Sequence, residues 1–90
     1  MDELNKAIAD AGGVGAFARL LGIGQSVVSN WRSRDSVSED ACPLVERKTV
    51  GAITCENLRP DVPWLRIADA EWPWHPEGRP VIDVVARVAA

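Results

Sequence analysis

Gly22-Ile23-Gly24 is the tightest constraint on this chain. It is too short for a free loop and too rich in glycine to continue a helix. On its N-terminal side, Val14, Phe17, Ala18 and Leu21 share one face of a helix expected over Val14 to Leu21. On its C-terminal side, Val28 and Trp31 mark the buried side of a helix expected from Gln25 to about Arg32. Two short helices joined by a glycine turn make a helix-turn-helix. Ala18 must be small, because the second of these helices crosses the first there. Gly22 supplies a positive φ without steric cost. Ile23 plugs the turn into the core, and Trp31 is expected in the core as well. The other side chains of the second helix, Gln25, Ser26, Val27, Ser29, Asn30 and Ser33, point outward. Gln, Ser and Asn on one face form a polar, uncharged surface that can donate and accept hydrogen bonds at base edges.

Net charge, taken as one number, argues against a nucleic-acid partner, for it is −3. Its distribution argues the other way. From Gly12 to Arg34 the chain carries Arg19, Arg32 and Arg34 and no acid, and the carboxylates lie on either side of that window. Clustered charge of one sign makes a local field that a phosphate backbone can find.

The flanking segments complete a helical unit. Leu4, Ala7, Ile8 and Ala11 recur at helical spacing, so a helix is expected over Asp2 to Asp10, ended by Gly12-Gly13. Ser38 caps a further segment, which Pro43 splits into a tight opening turn and a helix from about Pro43 to Thr49. Thr54 caps a short helix over Cys55 to Leu58, stopped by Pro60. From Val62 the composition shifts. Trp64, Trp72 and Trp74 stand among four prolines in a stretch expected to be extended and irregular and to pack back on the helices. In the last segment, Ile82, Val84, Ala86 and Val88 make a strand face, while Val81, Val84, Val85 and Val88 make a helix face. The valine content favours a strand over Val81 to Val88.

Several function classes are disfavoured. A single His and no Tyr leave little for acid–base chemistry, and neither Cys42 nor Cys55 has a sequence-local activating base. No enzyme activity and no cofactor are expected. Two cysteines 13 positions apart and the lone His75 fall short of a structural zinc site, so no metal is expected, and a disulfide is disfavoured. No stretch approaches the roughly 18–20 apolar residues of a membrane span. The first residues start acidic and lack a signal peptide's apolar core, so the expected location is the cytoplasm, with no membrane partner.

The chain resembles the lambda-repressor-like (Cro/CI) helix-turn-helix superfamily in Gly22-Ile23-Gly24-Gln25-Ser26-Val27-Val28. It is most similar to the YdaS-like Cro branch of prophage regulators. The run carrying that likeness includes Ala11-Gly12-Gly13-Val14, Phe17 to Gly22, Gln25 to Arg32, Cys42-Pro43, Val45-Glu46 and Thr54 to Asp61. The resemblance implies an all-α, five-helix DNA-binding domain over residues 1–61, with a Trp- and Pro-rich extension over 62–90. It departs from the branch at Gly15, where Ser is usual, and at Thr49-Val50-Gly51, which replaces a usual Thr-Gly-Gly.

On that likeness the chain is expected to bind double-stranded DNA as a transcriptional regulator. Gln25, Ser26, Ser29 and Asn30 are expected on base edges, with Arg19, Arg32, Ser33 and Arg34 on phosphate. The competing roles are plain ones: Gln25 capping its own helix, Ser29 and Asn30 as a solvated face, and the arginines in surface ion pairs. One such module reads too few base pairs to select a site in a genome. A homodimer on a palindromic operator is therefore expected, with Val81, Ile82, Val84, Val85 and Val88 as the dimerisation segment. Some members of the branch are antitoxins, so an extension that holds a toxin or second regulator is the alternative.

Overall fold

The computed structural model describes residues 2–89. Helix α1 spans Asp2–Ala11, with Asp2 and Glu3 in the first turn, where the positive helix end favours acids. Helices α2 (Val14–Leu21) and α3 (Gln25–Arg34) follow. Gly22 lies between them at φ 76°, and its N–H donates to the carbonyls of Ala18 and Arg19, while the Ile23 N–H donates to Ala18. These bonds satisfy the open end of α2 and reverse the chain. Helix α3 runs two residues further than its periodicity suggested and closes at Asp35, itself left-handed at φ 53°. Helix α4 spans Cys42–Lys48, with Pro43 in its first turn, where the missing N–H costs nothing. Helix α5 spans Cys55–Leu58. Thr54 accepts from the Asn57 N–H and donates its own N–H to the Asn57 side chain, a reciprocal cap that steadies a one-turn helix.

Leu4, Ile8, Phe17, Ala18, Leu21, Val28 and Trp31 meet Val37, Cys42, Val45, Ile53, Cys55 and Leu58 in one core. Trp31 is buried there, as its spacing from Val28 required. Cys42 and Cys55 are free thiols in the same core. Burial pushes Cys42 up to about 12 and Cys55 further still, so neither is a nucleophile at neutral pH.

The extension departs from the sequence reading in two places. The stretch after Val62 is not irregular throughout: strand β1 (Trp64–Ile67) pairs antiparallel with β2 (Arg79–Ile82), Leu65 opposite Val81 and Arg66 opposite Pro80. A long intervening loop removes the short-turn signal by which hairpins are recognised. The expected strand over Val81 to Val88 is likewise corrected. Only Val81 and Ile82 belong to a strand, and Val84–Ala89 forms helix α6. The cause is Asp83, whose carboxylate accepts from the N–H groups of Val85 and Ala86 and so caps a helix in a run of valines. The Val88 side chain lies outside the described residues.

One buried carboxylate ties the extension to the helices. Glu46 on α4 is wholly buried and accepts four hydrogen bonds. The Cys55 N–H donates at 3.0 Å, Trp72 Nε1 at 2.8 Å, and the Arg66 guanidinium at 2.7 and 2.5 Å. Arg66 also donates to Glu56 on α5 and to the Gly78 carbonyl. Burial alone pushes the Glu46 carboxyl up, but the bonds from Arg66, Trp72 and Cys55 outweigh it and hold the group below its ordinary range. Gly51, at φ 79°, completes the docking. A Cβ there would fall 2.1 Å from the Trp74 carbonyl oxygen, so only glycine lets the Trp loop approach.

Candidate nucleic-acid interface

Helix α3 is anchored underneath by Val28 and Trp31, which leaves the rest of its surface to solvent. Gln25, Ser26, Ser29 and Asn30, the four residues expected on base edges, are all exposed. With Val27 and Ser33 they line one open concavity along the helix. Gly24 is the N-cap, and no side chain caps the helix start, so Gln25 does not play the plain capping role open to it. Sequence reasoning gives Val27 no task, yet it stands exposed among the polar groups, where a branched apolar side chain suits contact with a thymine methyl. The signal was its place between Ser26 and Val28, one step off the buried face.

The cations flank this surface. Arg32 joins Ser29 and Ser33 around a shallow depression on one side. Arg34 joins Val27 and Asn30 around another, which continues to Ser36, Ser38, Arg59 and Glu39, a carboxylate paired with Arg87. Arg19 stands on α2 beside the start of α3, within 4 Å of the space next to Gly15 that Gln25 also borders. Among the described residues, none of Arg19, Arg32 and Arg34 forms an ion pair, and Asp35 does not neutralise its neighbour Arg34. All three lie in the last turns of their helices, where the negative helix end steadies a cation without a carboxylate. The exposed face of α3 thus sets polar side chains open to solvent beside guanidinium groups that form no ion pair among the described residues.

The expected dimerisation residues are dispersed. Val81 and Ile82 are half-buried in the hairpin, whereas Val84 and Val85 on α6 are 64% and 75% exposed. Leu65 and Ile67, on the outer face of β1, are exposed as well and had no role in the sequence reading. Trp72 and Trp74 pack edge to face, centroids 4.8 Å apart, and Trp72 serves Glu46. His75 accepts the Glu77 N–H within its loop. Among the described residues there is no group of metal-ligating side chains, and no helix is long and apolar enough to cross a membrane.

Residues 4–67 match the sequence model of a family described as bacterial toxin YdaS. The chain belongs to the YdaS family. The matched span includes all of α2 and α3 and ends with β1, so the family pattern takes in the exposed face of α3 and the first strand of the extension. YdaS of Escherichia coli (strain K12), named as a transcriptional regulator, is 42% identical over 63 residues. That similarity covers 69% of this chain and 64% of the relative, so the chain spans just under two thirds of the relative's length. Among solved structures, the Cro protein of Xfaso 1 from Xylella fastidiosa strain Ann-1, named as a prophage element, is 47% identical. It superposes with a TM-score of 0.62 over 69% of this chain and 95% of the Cro chain.

Proposed function

We propose that this chain is a Cro-type transcriptional regulator that binds double-stranded DNA by laying α3 in the major groove. The observation that carries this is the surface of α3: polar side chains free of capping duties, bordered by arginines that form no ion pair among the described residues. In this function Gln25 and Ser26 enter the groove first, with Ser29 and Asn30 behind them. Gln25 is suited to a bidentate pair with adenine, worth roughly 1–3 kcal/mol of discrimination. Arg19, Arg32, Ser33 and Arg34 hold phosphate and set the register. The kinship with proteins named as a Cro protein and a transcriptional regulator supports the same function.

Two copies related by a two-fold axis would place two α3 helices in successive major grooves about 34 Å apart on a palindrome. The exposed valines of α6 and the outer face of β1 support a contact between copies. A second function, in which the extension holds a toxin or another regulator, draws on those same apolar side chains and on the family's description. A salt titration separates the two. Reading DNA through phosphate contacts predicts a steep linear fall of log affinity with log salt concentration. A flat salt profile with weak affinity, for sites selected from a random DNA pool, would refute the DNA-reading function. Truncation after Asp83 removes α6 and leaves the hairpin intact. A full-length chain that sediments as a dimer and a truncated chain that sediments as a monomer would support the role of α6; identical oligomeric states would exclude it.

A further inference from the structure

The first turn of α2 is bare where α3 begins. Gly15 lies in ordinary helical backbone, so no conformational demand explains a glycine there. A Cβ at this position would stand 3.3 Å from Gln25 Oε1, 3.7 Å from Gln25 Cδ and 3.7 Å from Arg19 Nη1. The closest of these is tighter than ordinary van der Waals contact, so something must give by a few tenths of an ångström. The helices themselves cannot, because Phe17, Ala18 and Val28 fix them in the core. What yields is the end of the Gln25 side chain.

We propose that Gly15 is a specificity-determining position, whose missing side chain sets where the Gln25 carboxamide lies and hence which base pair it prefers. The inference rests on α3 being the helix that reads DNA. A bidentate amide–base pair needs two hydrogen bonds aligned at once, and such bonds weaken steeply when their angles are spoiled. A methyl group at residue 15 moves the carboxamide and leaves the α3 backbone in place. Arg19 borders the same notch, but a disturbed phosphate contact weakens all sequences alike, whereas a disturbed base contact changes their order. The two effects are therefore separable.

The test is a double-mutant cycle on the full chain. Wild type, Gly15→Ala, Gln25→Ala and the double variant each select sites from one random DNA pool, and each is then measured against single-base variants of the selected site. Replacing glycine by alanine in a helix favours the fold, and a thermal melt checks it; Gly15→Ser brings the same Cβ and stands in if the alanine chain does not fold. Gly15→Ala is expected to reduce preference about three- to tenfold at the base pair whose preference Gln25→Ala abolishes, an effect of roughly five- to 150-fold. In the Gln25→Ala background, the substitution at Gly15 should change no preference at all. An unchanged preference profile for Gly15→Ala, or a change that persists without Gln25, overturns the role of Gly15 and leaves the DNA-reading helix standing. A Gln25→Ala chain with the wild-type profile overturns Gln25 as a base reader, and the role of Gly15 with it.

Discussion

Seven of the eight arginines of this chain fall into two populations by position; the eighth, Arg47 on α4, is exposed and in no ion pair among the described residues. From Arg59 onward, every one is paired: Arg59 with Asp61, Arg66 with Glu46 and Glu56, Arg79 with Asp69, and Arg87 with Glu39. On α2 and α3, Arg19, Arg32 and Arg34 have no carboxylate partner among the described residues. The same side chain is therefore put to opposite uses. In the extension its charge is consumed inside the molecule, where Arg66 and Glu46 are almost fully shielded from water and bonded to each other. On the helix-turn-helix its charge meets no carboxylate among the described residues and stays open to solvent. Net charge cannot express this difference, which is why a chain of −3 overall still presents a cationic face.

The comparison breaks most severely at Glu46. Glu46→Ala takes from Arg66 its buried partner, leaving it Glu56 and the Gly78 carbonyl, and removes the acceptor of Trp72 and of the Cys55 N–H, so a loss of about 3 kcal/mol, the low end for a broken buried pair, is expected in chemical denaturation. A loss below about 1 kcal/mol would mean that the extension is not held by this carboxylate. The same group fixes the acid response. Its folded-state pKa lies below the ordinary value of 4.5, so the unfolded chain binds the proton first as pH falls. Its stabilisation is present above that value and is lost as pH drops through the depressed folded one. The melting temperature of wild type should fall with acid in that window, and that of Glu46→Gln should fall less. Equal slopes would assign the acid response to other carboxylates.

The free arginines should behave in the opposite manner. Arg32→Ala and Arg34→Ala are expected to alter stability by no more than about 0.5 kcal/mol, as exposed sites do. Each should weaken binding to all DNA sequences alike and lower the salt slope by about one. A substitution that leaves affinity and salt slope intact would place that arginine among the paired, structural population in function if not in geometry.

The smallest expected effect sharpens a different contrast, between glycine and valine at a left-handed site. Val50 sits at φ 55°, fully in the left-handed region, with its side chain 74% exposed. A β-branched residue there is strained and buries little in return. Val50→Gly should raise stability by about 0.5–1.5 kcal/mol, the relief of strain reduced by the greater freedom of the unfolded chain. A lower melting temperature would show that Val50 makes a contact worth more than its strain.

Much of the helical unit was legible because its signals are local. Gly12-Gly13, Gly22, Thr54 and Pro60 bound α2 and α5 at the residues where periodicity begins and ends. Trp31 was recognisable as core from its spacing to Val28. The hairpin and the Glu46 cluster were not, because they depend on contacts between distant residues. Glu46 lies 20 positions from Arg66 and 26 from Trp72. A trace of it was present in the helical period: Cys42, Val45 and Glu46 share one face of α4, which places a carboxylate where the core should be. The strand expected over Val81 to Val88 failed for the opposite reason, a single local cap at Asp83 outweighing the average propensity of five valine and isoleucine residues.

The Glu46 cluster also has a consequence in time. Its donors come from three separate places along the chain, and none can bond until its own segment has arrived. The helix-turn-helix, by contrast, closes through neighbouring segments and short loops, the kind of contact that forms early. The cluster should therefore assemble after the rate-limiting barrier of folding, and interactions absent from the barrier act on unfolding alone. Glu46→Gln should speed unfolding while leaving refolding nearly unchanged, which makes this carboxylate the latch that sets how long the folded protein lasts.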